Sequence, residues 1–270
     1  MNILDKIIAH KRLEVFGRKG ALPVKELEKK PFFTRTTYSL REFLTDPSRT
    51  GIIAEFKRRS PSKGVINDTA DVAEVTKAYA THGASCLSVL TDGSFFGGST
   101  GDLEKARVNA IPILRKDFVI DEYQVVEARA MGADVILLIA ACLTPVEVRR
   151  LAAFAKSLQL EVLLEIHNEE ELGHICEDTS LIGVNNRDLK TFTVDVQRSV
   201  ELSEKIPEGK IMISESGISQ VDTIVRLKSS GFRGFLIGEN FMKDKDPASA
   251  FEKFTGKLKS AIAIAPFFNH

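Results

Sequence analysis

Glu55 and Lys57 lie two residues apart in IIAEFKRRSPSKG (52–64), where an apolar run gives way to charge. Side chains at i and i+2 on a strand point to one face. Ile53, Glu55 and Lys57 therefore share a face on which two of three groups are ionic. The same rule aligns Leu114 with Lys116 and Phe118, Leu163 with Glu165, Gly183 with Asn185 and Arg187, Ile213 with Glu215, and Leu236 with Gly238. Taken singly, a charge at a strand end is most often the first residue of a solvated loop. Glu165 resists that reading, because it interrupts the apolar VLLEI and a lone buried carboxylate is costly. Asn185 and Arg187 add two polar groups in phase. Brought together, such lysines, glutamates, arginine and asparagine suit acid–base chemistry on an anionic substrate. Crowded lysines against apolar walls are expected to have lowered pKa values and clustered carboxylates raised ones. Both shifts lead toward neutral pH, where proton transfer works best.

These residues need strands that end at one place. After residue 50 the chain repeats one plan of apolar strand, polar exit and amphipathic helix. The strands are GIIAEFK (51–57), CLSVLTD (86–92), IPILRKD (111–117), VILLIA (135–140), LEVLLEI (160–166), LIGVNNR (181–187), KIMISES (210–216) and GFLIGE (234–239). A helix with Val72, Val75, Ala78 and Tyr79 on one side stops at Gly83. Another opens with Thr144 as N-cap and Pro145 at its first position. Eight such units predict an α/β fold, the (β/α)8 or TIM barrel. A doubly wound open sheet is the alternative, but no Gly-x-Gly-x-x-Gly turn follows the first strand. Residues 1–50 read as an N-terminal helical extension covering one end of a barrel domain at 51–270. In a barrel, the C-terminal ends of the strands line the active site, and the loops after strands 7 and 8 often bind phosphate. Ser216-Gly217 and Gly238-Glu239 fall in those two loops.

Composition narrows the function classes. The chain has 270 residues, 43% hydrophobic and 27% charged, with zero formal net charge. No global field favours nucleic acid or an anionic membrane. The basic run Lys57–Lys63 contains no stacking aromatics, and Phe56 alone adjoins it. Three scattered cysteines fit a reducing, cytoplasmic setting. The N-terminal segment carries Asp5 and Lys6 within its apolar stretch and is not expected to be a secretion signal. The apolar run 135–143 is far shorter than the roughly 18 residues of a membrane span. The histidines at 10, 82, 167, 174 and 270 show no metal-ligand spacing and are expected at the surface or behind the site. Phe32, Phe33, Phe95 and Phe96 are expected in packing, with Phe118 the exception because it shares the face of Lys116.

With these residues assembled, the chain resembles the indole-3-glycerol phosphate synthase family. The resemblance rests on IIAEFKRRSPSKG, then ILRKDF (113–118), LLEIHN (163–168), GVNNRDL (183–189), SESGI (214–218) and FLIGENFM (235–242), in order and spacing. ILDKIIAHKRLEV (3–15) looks like the family's N-terminal helix. The resemblance implies ring closure of carboxyphenylamino-deoxyribulose 5-phosphate, with loss of CO2 and water, and no metal or organic cofactor. It gives Lys116 as the general acid at the ribulose carbonyl and Lys57 as a contact to substrate anions and an acid in dehydration. Glu165 is then the acid–base partner, Glu55 supports developing iminium charge, and Asn185 orients hydroxyls. Ser60 and Arg187 would meet the anthranilate carboxylate. Ser62 and the backbone of Gly217, Gly238 and Glu239 would meet the phosphate. Phe118, Leu137 and Leu236 would form the aromatic slot. Pro61 stiffens the loop above, and Glu215 and Ser216 complete the wall. A monomer is expected, with contacts to other enzymes of tryptophan synthesis left open. Because some family members are fused to an isomerase barrel, that activity is expected on a separate protein here. Rival readings are a glycosidase using Glu55 and Glu165, a sugar-phosphate isomerase, and a retired phosphate-binding barrel acting as an interaction module. The absence of tryptophan and the lysines at the mouth weigh against the glycosidase.

Overall fold

The computed structural model describes residues 3–189 and 191–264. His270 and the rest of 265–270, assigned above to the barrel domain, lie outside the described residues, as do Met1 and Asn2. Among the described residues, eight parallel strands close a barrel. They are β1 (Ile52–Phe56), β4 (Cys86–Leu90), β5 (Ile113–Lys116), β6 (Val135–Ile139), β7 (Glu161–Ile166), β8 (Leu181–Asn185), β9 (Ile211–Glu215) and β10 (Gly234–Ile237). Each pairs with the next, and β10 returns to β1. Two short strands, β2 (Arg59–Ser60) and β3 (Gly64–Val65), form an antiparallel ribbon above β1 that the strand pattern did not predict. Lys57, Phe118, Arg187 and Gly238 fall just past the ladders, because pairing stops before the predicted strand ends.

Helices α4 (Val72–Thr81), α6 (Thr100–Ala106), α7 (Glu122–Met131), α8 (Pro145–Ser157), α9 (Gln197–Ser203), α10 (Val221–Ser229) and α12 (Pro247–Ile264) surround the strands. Two single-turn helices, α5 (Gly93–Phe96) and α11 (Glu239–Met242), sit in mouth loops. The alternation is imperfect after β7, where a 3-10 turn at Glu169–His174 replaces a full helix. Helix α8 starts as its sequence demands. Thr144 Oγ1 accepts from the Glu147 N–H at 3.3 Å, and Glu147 Oε2 accepts from the Thr144 N–H at 2.7 Å. Such a reciprocal cap satisfies two orphan donors at once.

Strand residues divide by parity. Ile52, Ala54 and Phe56 face the helices. Ile53, Leu114, Leu163, Leu181, Ile213 and Leu236 fill the barrel interior. Leu40 and Leu44 of α3 (Leu40–Thr45) join that interior set at the N-terminal end of the barrel. There Glu161, the first residue of β7, accepts from the Leu40 N–H at 2.6 Å. Burying each leucine stabilises by about 1.5–3 kcal/mol. The extension does not stop at that end. Helix α1 (Ile3–Ala21) packs Val15 with Leu27 of α2 (Val24–Leu27) and with Tyr123 and Val126 of α7. Its first turns reach the opposite end, where Ile3, Leu4 and Ile7 line the mouth.

Candidate active site

A cavity of about 170 Å³ opens at the C-terminal ends of the strands. Around it stand Glu55 and Lys57 from β1 and its exit, Lys116 and Phe118 from β5, Glu165 from β7 and Asn185 and Arg187 from β8. Glu215 and Ser216 close the β9 side. Leu137 and Leu236 supply apolar wall, and Ser60, Pro61 and Ser62 of the ribbon overhang it. Gly217 and Gly238 line an adjoining cavity of about 350 Å³, which shares Lys57, Arg187, Ser216 and Glu239 with the first. The site residues expected from sequence are thus brought to two connected hollows.

Charges alternate in the first hollow. Lys116 Nζ lies 3.1 Å from Glu165 Oε2 and 2.7 Å from Glu215 Oε2. Lys57 Nζ lies 2.7 Å from Glu55 Oε1. Asn185 Nδ2 donates to Glu165 Oε1 at 3.0 Å, and Asn185 Oδ1 accepts from the Arg187 N–H at 3.0 Å. Ser88 Oγ donates to Glu55 Oε2 at 3.3 Å. Glu55, Glu165 and Glu215 are all buried.

Two glycines make room for this crowding. A Cβ on Gly183 would lie 2.1 Å from Glu215 Oε1, and one on Gly238 would lie 2.7 Å from Glu55 Oε1. Backbone strain collects where β9 ends. Ser216 has φ +68° and Gly217 follows at +77°. A left-handed serine is uncommon, and such residues cluster at functional sites.

The interleaving corrects the expected pKa pattern. Burial alone would lower Lys116, but Glu215, Glu165 and Glu55 surround it and hold it above the usual lysine value. Burial pushes Glu165 up, yet Lys116, His167 and Asn185 together hold it well below the usual carboxylate range. Glu55 is likewise pushed up by burial and drawn below its ordinary value by Lys57 and Lys116. Glu215 alone among these carboxylates follows the expectation. Burial, with Glu165 and Glu55 nearby, raises it to about 7 despite Lys116.

Several participants escaped the sequence reading. Phe96, expected only to pack, lines the cavity with its ring 6.0 Å from that of Phe118. Leu90, Leu189 and Phe192 add apolar surface. At the outer rim Glu239 faces Arg187 at 3.6 Å and Lys63 at 3.7 Å, so its side chain is spoken for by cations. His167, one of the histidines expected at the surface or behind the site, does stand directly behind Glu165, its Nε2 3.2 Å from Glu165 Oε1.

Lys11 of α1 is 1% exposed and lies 2.8 Å from Asp92 Oδ2 and 2.9 Å from Asp117 Oδ1. Asp117 also pairs with fully buried Arg115, whose guanidinium reaches Glu127 at 2.7 Å. The buried residues of α1 are Ile7, Lys11 and Val15. A lysine inside that four-residue spacing was the available signal. Among the described residues, no cluster of three His, Cys, Asp or Glu side chains is arranged to hold a metal ion.

The family model for Indole-3-glycerol phosphate synthase matches residues 4–254. A protein of that name from Bacteroides thetaiotaomicron is 48% identical over 254 residues, covering 94% of this chain and 97% of the relative. One from Polaromonas sp. is 44% identical over 260 residues, covering 94% and 98%. One from Salinibacter ruber is 43% identical over 267 residues, covering 97% and 98%. Among solved structures, the crystal structure of KGPDC from Streptococcus mutans superposes with a TM-score of 0.57 at 14% identity, over 77% of this chain and 97% of that one. That likeness speaks for the barrel alone. With the family model spanning nearly the whole sequence and full-length relatives at this identity, the chain belongs to the indole-3-glycerol phosphate synthase family.

Proposed function

We propose that the mouth divides the family's carboxy-lyase reaction among Lys116, Glu165, Lys57 and Glu55. The reaction closes carboxyphenylamino-deoxyribulose 5-phosphate to indole-3-glycerol phosphate with release of CO2 and water. The carrying observation is the partly buried Lys116 ammonium held between Glu165 at 3.1 Å and Glu215 at 2.7 Å. An ammonium fixed in that way is protonated when the substrate arrives. It can donate to the ribulose carbonyl as the aromatic ring attacks. Glu215, with a pKa near 7, is suited to return the proton. Glu165, kept ionic and oriented by Asn185, takes the proton lost from the methylene carbon when dehydration completes the indole, CO2 being the group that leaves at ring closure. Lys57, 17% exposed at its side chain, reaches the leaving hydroxyl in dehydration, while Glu55 behind it balances the iminium charge.

The lining supports the substrate placement that the family resemblance implies. Phe118, Leu137 and Leu236 face the anthranilate ring, Arg187 and Ser60 its carboxylate, and Pro61 limits the ribbon above it. Ser62 and the backbone at Gly217, Gly238 and Glu239 take the phosphate in the second hollow, with Ser216 and Glu215 between the two. The extension and the barrel act as one catalytic unit, because Ile7 lines the mouth and Lys11 pairs with Asp117 next to Lys116. We read the protein as a cytoplasmic monomer. No described helix is long and apolar enough to cross a membrane.

Lys116→Ala tests this division. Turnover is expected to fall by about 10²–10⁴-fold, while substrate binding, anchored by phosphate, persists in a fluorescence titration. Near-normal turnover would rule out the assigned role.

A further inference from the structure

His167 is 6% exposed and lies between two carboxylates. Its Nε2 is 3.2 Å from Glu165 Oε1 and its Nδ1 is 3.3 Å from Glu171 Oε2. Glu171 Oε2 also accepts from the His167 backbone N–H at 2.7 Å. That carboxylate is placed by the 3-10 turn after β7, where Asn168 accepts from the Glu171 N–H at 3.2 Å. A neutral imidazole has one N–H and one bare nitrogen. Here both nitrogens face anionic oxygens, so only the doubly protonated ring meets both favourably.

Nε2 makes no aligned hydrogen bond and is buried, so charge rather than direction holds it against Glu165. We propose that His167 is a positioning residue for Glu165, an imidazolium braced by Glu171 that keeps Glu165 in place and ionised until it accepts its proton. This rests on the reading of Glu165 as the acid–base partner.

The other groups around the pair come from every neighbouring element. Lys116 on β5 faces Glu165 directly, Glu215 on β9 shares that ammonium and repels Glu165 itself, and Glu55 on β1 acts on Lys116. Cys142, after β6, is held neutral by burial beside Glu165 and Glu171. His174 is spent on carbonyls, its Nε2 on Leu143 at 2.9 Å and its Nδ1 on Glu171 at 3.0 Å. Among these described groups, His167 is the cation that approaches Glu165 from the side away from Lys116: Lys116 meets Oε2 and His167 meets Oε1.

The test compares His167→Gln, Glu171→Gln and Glu165→Gln with the wild type, using steady-state kinetics from acid to alkaline pH. A histidine-resolved NMR titration of the wild-type protein accompanies it. For His167→Gln, kcat is expected to drop about tenfold with KM within about twofold, and the low-pH half-point of kcat to rise by about one unit, the shift equivalent to a tenfold change in ionisation. Loss of the cation raises the Glu165 pKa, so the ionised form is lost at higher pH. Glu171→Gln should move both readouts the same way by less.

In the wild type, His167 should titrate well above the ordinary histidine value, toward about 9. A His167→Gln enzyme with wild-type kcat and pH profile would overturn the proposal. So would kcat and KM worsening together with no movement of the half-point, or a wild-type His167 titrating at or below about 6.5. If His167→Gln fails to fold, Glu171→Gln and the wild-type titration decide. An inactive Glu165→Gln beside a normal His167→Gln sinks this inference alone. An active Glu165→Gln sinks the assignment of Glu165 with it.

Discussion

Glu215 holds a proton until about pH 7 in the folded chain, against 4.5 for an ordinary glutamate. Between those values the folded state binds more protons than the unfolded one. The contribution of Glu215 to stability therefore falls as pH rises through that window. Glu165 runs the other way. Its pKa is held down, so its stabilisation is present above the ordinary glutamate value and is lost as pH falls below it. Glu215→Gln removes the first dependence only. Its melting temperature relative to wild type should climb between about pH 5 and about pH 8, while its turnover drops. A difference that stays flat or shrinks with pH would contradict the assigned environment. The phase of Lys116, Glu165 and Asn185 was legible in sequence, because a strand has period two and each polar residue breaks an apolar run. The direction of the pKa shifts was not. It depends on Lys116 standing between Glu165 and Glu215, and the contacts that decide it join residues 49 and 99 positions apart.

At the scale of elements, α1 and α3 bind the same barrel to opposite ends, and substitutions can separate their effects. Lys11→Met leaves Asp92 and Asp117 buried without their shared cation, a loss expected to cost about 3–5 kcal/mol. Asp117 follows Lys116 in the chain, and its Oδ1 accepts from the Phe118 N–H at 2.8 Å. Lys11→Met should therefore also raise KM. Leu44→Ala opens a cavity at the far end, expected to cost about 2–5 kcal/mol, with KM and kcat unchanged. Equal kinetic damage from both, measured at matched fractions folded, would show that α1 serves stability only. Helix α1 itself was legible as part of the helical extension, since Ile3, Leu4, Ile7 and Ile8 recur at helical spacing, and the barrel from its repeating strands. The reach of α1 to the mouth was not, since it depends on Lys11 meeting aspartates after β4 and β5. Nor was the ribbon of β2 and β3 legible, because two-residue strands leave too little pattern to read. The turn after β7 was missed because EEELGH carries helix formers yet closes only 3-10 turns before β8 begins.

For the whole molecule, Lys and Arg balance Asp and Glu at 37 each, so substrate capture falls to local charge at the mouth and not to a global field. Local charge is what the two hollows provide. The first carries alternating lysines and carboxylates beside an apolar wall, and the second carries Lys63, Arg187 and Lys243 around the loops after β9 and β10. The apolar wall of the first hollow and the cations of the second are what an aromatic acid joined to a sugar phosphate would call for. The most direct measurement mixes the purified protein with carboxyphenylamino-deoxyribulose 5-phosphate in the presence of EDTA and follows the fluorescence of the indole product. Steady turnover, unchanged by the chelator and lost in Lys116→Ala, is the expected result. Binding of the substrate without formation of indole-3-glycerol phosphate would contradict the central claim that this mouth carries out the chemistry.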